Sequence, residues 1–398
     1  MKLRHCIALA LACGASQPAL AQSGDTGTWT ANLRYRHETV DDDAFARTAD
    51  ADTLRLRLGW SRAFASGFSL GIEGEGVAEL NDRFNSGANG ETAYPTVLDA
   101  RALEVNQAWV GWRGQRAGVV LGRQRIALDN QRFIGNVGWR QNEQTFDALA
   151  VDAKPSEKMT LRYYYLDRVH RVAGDDALSA LARERSLHGH LANAAWTAPV
   201  GTLVGYAYLL EDRDVATAST RTLGLRWTGT RALGTGSFGW TLEGARQRDH
   251  ANNPLDADAG YWLAEAALTR GAVTGKLGWE HLGGDGGSAF QTPLATLHAF
   301  NGWADKFGTT PLDGLEDRYA LATGKFGSGR LQDKLAWTIA FHDYSADRGG
   351  AGYGTEWNAS LGFPLPGGLT GLVKLADYRS DGFARDTLKA WFQIEWTH

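Results

Sequence analysis

The stretch Leu54-Arg55-Leu56-Arg57-Leu58-Gly59-Trp60-Ser61 decides the fold. Apolar and polar residues alternate strictly, which is the period of an extended strand with two unlike faces. One face carries Leu54, Leu56, Leu58 and Trp60. The other carries Arg55, Arg57, Gly59 and Ser61. The same rhythm precedes it, with Trp29, Ala31, Leu33 and Tyr35 against Thr30, Asn32, Arg34 and Arg36. It follows at Phe68, Leu70 and Ile72 against Ser69, Gly71, Glu73 and Glu75. It recurs to the C-terminus, where Leu388, Ala390, Phe392, Ile394 and Trp396 oppose Lys389, Gln393, Glu395 and Thr397. About eighteen such segments can be drawn. Segment ends shift by roughly 2–4 residues, so sixteen or twenty remain open.

Alternation alone fits two folds. A soluble sandwich turns its apolar faces inward. A transmembrane barrel turns them to lipid and lines its lumen with the polar ones. Three features favour an all-β transmembrane barrel. Trp, Tyr and Phe recur near segment ends, as an interfacial girdle requires. The polar faces mix Gly with charge. The connections also alternate in length. Ala65-Ser66-Gly67, Arg113-Gly114-Gln115, Ala198 to Gly201, Gly327-Ser328-Gly329 and Pro364 to Gly368 read as tight turns. Between them run longer polar stretches: 41–51, 81–100, 169–186, 249–258 and 283–315. Within 169–186, a short helix is expected over Asp176 to Arg185. A secreted all-β glycan-binding protein is the reading from another class.

Composition removes other classes. Gly is 49 of 398 residues, well above the usual ~7%. Hydrophobic content of 43% excludes disorder. The two cysteines, Cys6 and Cys13, sit together at the N-terminus and exclude a disulfide scaffold. A net charge of −4 offers no footprint for nucleic acid. Mean hydropathy is −0.33, and no apolar run beyond the N-terminus suits a membrane helix.

Residues 1–21 read as a signal peptide. Lys2 and Arg4 form its basic start, Ile7 to Ala12 its apolar core, and Ala19-Leu20-Ala21 its cleavage site. A lipoprotein signal ending at Cys13 is the rival reading. The remainder, 22–398, is then one exported barrel domain. The expected address is the outer membrane of a Gram-negative bacterium, with outer-membrane lipid as a partner.

Two longer motifs carry a resemblance. One is Leu121-Gly-Arg-Gln-Arg-Ile-Ala-Leu-Asp-Asn-Gln-Arg-Phe-Ile-Gly-Asn-Val-Gly-Trp-Arg-Gln-Asn-Glu-Gln-Thr-Phe-Asp-Ala-Leu149. The other is Thr292-Pro-Leu-Ala-Thr-Leu-His-Ala-Phe-Asn-Gly-Trp-Ala-Asp-Lys-Phe307. Together they resemble the alginate export family of bacterial outer-membrane proteins. The resemblance implies an eighteen-stranded barrel and passage of an anionic polysaccharide through a positively lined pore. It also implies periplasmic export partners. The chain departs from the usual outer-membrane pattern by ending on His398, two residues after Trp396.

Alternation turns Arg34, Arg36, Arg55, Arg57, Arg162, Arg226 and Lys276 inward. It also turns in Glu73, Glu75, Glu104, Glu243, Glu280 and Glu395. Two uses compete. Ion pairs can brace the wall, or an arginine ladder can steer carboxylates. The first motif adds Arg123, Arg125, Arg132, Arg140, Asn142 and Glu143 on a loop expected to fold into the lumen, either constricting the pore and offering donors to sugar carboxylates or simply plugging and stiffening the barrel. Arg123 shares its parity with Leu121, so only a bulge would turn it inward. Trp139 and Phe146 are expected to anchor the loop or stack on sugar rings. The stretch from His298 to Phe307 is expected at an external mouth or packed on its own loop.

Signals for other chemistry are sparse. His188-Gly189-His190 has the spacing of a metal pair but no evident third ligand. No G-x-S-x-G nucleophile elbow occurs. His281 or His342 would be the raw material for a barrel hydrolase. The expectation is a passive channel with no enzyme activity and no cofactor. It would serve an anionic polysaccharide or uronate-type solute. The alternative in the same membrane is a general or small-acid and sugar porin.

Overall fold

The computed structural model of the chain describes residues 27–326 and 334–398. The 1–21 signal reading and the turn at Gly327-Ser328-Gly329 therefore lie outside the described residues.

Eighteen strands follow in order. They are β1 (Thr28–Asp42), β2 (Ala49–Ala63), β3 (Phe68–Glu79), β4 (Ala102–Arg113), β5 (Ala117–Gln124) and β6 (Thr145–Ser156). Then come β7 (Met159–His170), β8 (Glu184–Ala198), β9 (Gly201–Asp212), β10 (Thr220–Leu233), β11 (Gly236–Asp249) and β12 (Asp258–Arg270). The last are β13 (Val273–Leu282), β14 (Leu315–Phe326), β15 (Leu335–Ser345), β16 (Gly352–Pro364), β17 (Thr370–Ser380) and β18 (Thr387–Thr397). Each pairs antiparallel with its neighbour in sequence, and β1 pairs with both β2 and β18. The sheet thus closes on itself and no edge is left to aggregate. In lipid, a closed barrel is the only strand architecture that satisfies every backbone polar group.

The two faces are those that the alternation indicated. Leu56, Leu58, Ile72, Val110, Leu121, Leu223, Leu225 and Leu277 stand exposed on the outer wall. Trp29, Phe68, Trp112, Trp196 and Phe326 stand exposed near the tight-turn end. Such surface is stable only against hydrocarbon, with aromatic rings at the interface. On the inner face Arg34, Arg36, Arg55, Arg57 and Glu75 are buried.

Connections at one end are short, and both described termini of the barrel lie there. The long connections gather at the other end. Strands reach further into them than the sequence suggested. β1 and β2 leave only 43–48 between them, because their ladder runs on to Val40 and Ala49. The expected 176–185 helix is one turn, α1 (Ala180–Arg183), because β8 begins at Glu184.

Three long loops, 80–101, 125–144 and 283–314, turn back into the lumen. Phe84 and Val97 of the first pack on Val40, Ala49 and Ala51. The larger apolar cluster also lies inside. Ile126, Leu128, Phe133 and Ile134 of the second loop, with Phe290 and Leu294 of the third, pack on Tyr164, Leu166, Leu191, Tyr206, Tyr208 and Tyr261. The molecule therefore has an inner core made of loops and wall, besides its lipid-facing belt.

Candidate pore constriction

The 125–144 loop leaves β5, crosses the lumen and returns as β6. Its two halves meet different walls. The first half is apolar and docks on β7 to β12. There the Phe133 ring meets Tyr206, Tyr208, Tyr261 and Phe290 at centroid distances of 5.3, 6.1, 5.4 and 5.9 Å. The second half is polar and docks on β1 and β2. An irregular backbone has no ladder partner, so its carbonyls need donors from elsewhere. Arginines supply them. Arg34 Nη1 donates to the carbonyls of Gly138, Trp139 and Arg140, each at 3.3 Å. Arg36 donates to the Trp139 carbonyl at 2.5 Å. Arg55 and Arg57 donate to that of Gln141 at 3.4 and 3.2 Å.

The same four arginines meet carboxylates. Arg34 and Arg55 share Glu395, each at 3.2 Å. Arg36 meets Asp99 of the 80–101 loop at 3.3 Å. Arg57 pairs with Glu75 and lies 3.6 Å from Glu143. All four guanidinium groups are buried. They form a ladder as alternation indicated, but every rung is already engaged in holding the loop.

Loop residues complete the lattice. Arg125 pairs with Glu73 and Glu143. Glu143 also accepts from Asn106 at 2.5 Å and Asn136 at 2.9 Å. Burial opposes its charge, but Arg57 and Arg125 outweigh burial and hold its carboxyl down at about 2. Asn142 donates to the Ala100 carbonyl at 3.0 Å, tying in the 80–101 loop. Arg132 reaches across to Glu280, Thr292 and Asn301 at 2.6, 3.2 and 3.0 Å. Phe146 is fully buried and anchors the re-entry.

The two motifs of the resemblance pack against each other. Gly135 N–H donates to the Leu294 carbonyl at 2.9 Å, and Thr296 N–H to that of Gln131 at 3.0 Å. His298 to Phe307 thus lies in the lumen instead of at an external mouth. The Trp139 ring stacks on His298, with centroids 4.7 Å apart and planes 5° apart. Lys374 Nζ sits 3.8 Å from the Trp303 ring centroid and 4.1 Å from that of Trp139. It also lies 2.6 Å from His298 Nε2. His298 Nδ1 meets Asp305 at 2.7 Å. Asp305 is held in turn by Lys389 at 2.9 Å and Arg140 at 3.4 Å, and Arg140 reaches Glu38 at 3.0 Å. Lys389 has the polar-face parity read for the last segment, whereas sequence reasoning missed Lys374, for which the alternation Val373-Lys374-Leu375 carried the signal.

Arg123 is a correction. No bulge intervenes, so it keeps the parity of Leu121. It lies in register with Ala108, itself opposite Ile72 on the outer wall. It pairs there with Asp147 at 3.0 Å and does not line the lumen. Arg162 does face inward, opposite Asn193 in register. It is half-buried and, among the described residues, makes no side-chain hydrogen bond or ion pair. Arg226 pairs with Glu243, and Lys276 with Glu265. His188 and His190 face outward with Nε2 atoms 3.4 Å apart. His281 and His342 each meet a carboxylate, Glu316 and Asp317, at 2.7 and 2.9 Å.

Charge is unevenly spread over the wall. β17, β18, β1 and β2 turn Lys374, Lys389, Arg34, Arg36, Arg55 and Arg57 inward, against Glu38, Asp42 and Glu395. β11 to β16 turn Glu243, Glu265, Glu280, Asp317 and Glu356 inward, against Lys276 and Lys325. The lumen therefore has a basic and an acidic sector.

Comparisons with known proteins agree with this architecture. Among solved structures, Pseudomonas aeruginosa OccK3 (OpdO) superposes with a TM-score of 0.72 at 17% identity, over 94% of this chain and 96% of that one. OccK1 (OpdK) of the same organism gives 0.71 at 18%, over 93% and 98%. OpdK has also been solved with vanillate, and that structure gives 0.70 at 18% identity over 93% and 98%. No curated protein matches the chain by sequence. The profile of the alginate export family matches residues 27–284, well over half of the chain. The chain belongs to the alginate export family and is a passive channel of the bacterial outer membrane, built on an eighteen-strand barrel.

Proposed function

We propose that the channel passes small acidic solutes of uronate type, and that the three inward loops set the size it admits. The observation that carries this reading is the basic sector on β17, β18, β1 and β2. Its cations are buried and fixed, so they act as a standing positive potential in a low-dielectric wall. Arg162 adds an accessible fork that matches a carboxylate bidentately. OpdK, a structural neighbour, was solved with vanillate. Loops that cross the lumen and are cross-tied favour a monomer or short oligomer over a long polysaccharide, the cargo that the family name suggests.

The second reading, a general porin, rests on one observation. Each ladder arginine already faces a carboxylate or a loop carbonyl, so the ladder braces as much as it attracts.

Reversal potential in a planar bilayer under a KCl gradient separates the two. Anion-selective current blocked by added oligouronate, and weakened by Arg162→Gln, supports the acidic-solute reading. Cation-selective or unselective current, indifferent to the uronate, overturns it.

A further inference from the structure

The geometry points to a divalent transition-metal site on the outer wall, at the root of the 283–314 loop, built from His281, Glu316 and Asp347. His281 is the penultimate residue of β13 and Glu316 the second of β14. They are directly opposed in register, so they bracket the two stems of the inward loop. Asp347 comes from the 346–351 connection between β15 and β16. His281 Nδ1 lies 2.7 Å from Glu316 Oε1 and 3.7 Å from Asp347 Oδ1. One ligand atom from each residue falls within 4.8 Å of the others. A four-coordinate ion with bonds of ~2.0–2.2 Å spaces its donors about 3.3–3.6 Å apart. A small rotation of Glu316 meets that spacing.

What lifts this group above a chance cluster is the support behind each ligand. Trp279 Nε1 donates to Glu316 Oε2. Gly284 N–H donates to Asp347 Oδ2 at 3.2 Å. Each carboxylate thus has one oxygen held by a fixed donor and turns the other to the same imidazole nitrogen. The imidazole is itself stacked on Trp262, with centroids 5.6 Å apart and planes 11° apart. This is how metal sites orient their ligands. At 3.7 Å, Asp347 Oδ1 is beyond hydrogen-bond range of His281, so the imidazole does not satisfy it. Arg318 approaches Glu316 at 3.9 Å, but from Oε2, the oxygen turned away from the imidazole. One imidazole nitrogen and two carboxylate oxygens suit Zn2+ or a neighbouring transition ion better than Ca2+, which takes six to eight oxygens. Asp347 is partly exposed and leaves room for a water as fourth ligand. An ion here ties both stems of the constricting loop to the next hairpin and stiffens the constriction from outside.

The test uses untagged protein in detergent, stripped with a chelator and titrated calorimetrically with Zn2+ alone. The native chain is expected to bind one equivalent that His281→Ala loses and Asp347→Asn weakens at least ten-fold. His188→Ala/His190→Ala is expected to retain it. Heat-dependent gel mobility establishes that each variant is folded, and Asp347 lies in a connection outside the strand ladder. Two results overturn the proposal. One is a native chain that takes up no such equivalent. The other is an equivalent that survives in both the His281 and Asp347 variants.

Discussion

Acid should loosen the constriction through a single imidazole. Lys374 carries an ammonium and can only donate, so His298 Nε2 must accept from it at 2.6 Å. His298 Nδ1–H then donates to Asp305 at 2.7 Å. A second proton would set an N–H against the ammonium. Burial depresses the His298 pKa to about 3 from the ordinary 6.5; Lys374 adds to the effect and Asp305 opposes it. The sign follows from linkage. An undocked loop takes up its proton near the ordinary value, whereas the docked loop resists until about 3. Docking is therefore at full strength above roughly pH 6.5 and loses about 1.4 kcal/mol for each pH unit below it. Two units down, near pH 4.5, the loss is about 2.7 kcal/mol, roughly a hundred-fold in the docking equilibrium. Asp305 does not offset this in that window. Burial raises its carboxyl, but His298, Lys389 and Arg140 outweigh burial and hold it well below the usual range. Single-channel recording from pH 7.5 to 4.5 should show growing substate noise below pH 6. Hydrogen-exchange protection over residues 292–307, taken relative to the intrinsic rate at each pH, should fall in parallel. In His298→Gln, which cannot titrate, both profiles should flatten. An acid response of equal size in that variant, or none in the native chain, refutes the argument.

Three substitutions test the wall and the loop. Leu225→Arg places a charge on the lipid face between Arg221 and Trp227, where it should cost about 2–4 kcal/mol of bilayer folding stability in a urea titration. Leu103→Arg, at the loop end of β4, should cost about 0–1 kcal/mol, so equal costs would contradict the assigned outer face. Gly302→Ala should undock the 283–314 loop at a cost of about 1–3 kcal/mol. Gly302 has φ of +82°, and a Cβ there would collide with the side chains of Glu356 and Tyr344. Unchanged hydrogen exchange over 292–307 would count against that packing.

The inner loop explains why bracing and selectivity are hard to separate in this lumen. Removing Arg34 or Arg57 changes the potential and also strips donors from the loop carbonyls that they hold. Arg162, although its charge acts on Asp129 of the loop, holds no loop carbonyl among the described residues, which makes it the cleaner probe of selectivity.

The number of strands to within about two, and the outward or inward sense of side chains in strands without a bulge, were legible in the residues themselves. Alternation has a period of two, and a strand between lipid and lumen cannot slip by one residue without exchanging its faces. For that reason Arg34, Arg36, Arg55, Arg57 and Arg162 face inward as read, and Arg123 follows its parity to the outer wall. The loops obey no such period. The apolar half of 125–144 and the tyrosines of β7 to β12 are far apart in sequence, and nothing local tells a residue such as Phe133 that its partners are Tyr206 and Tyr261. Two further features needed the tertiary structure. The folding of the 292–307 motif inward onto the first needed the closed barrel, and the meeting of His281, Glu316 and Asp347 needed the register of two neighbouring hairpins. Side-chain direction is a local property of the strand; the company a side chain keeps is decided by ring closure, which brings β18 beside β1 and lets loops from different hairpins share one lumen.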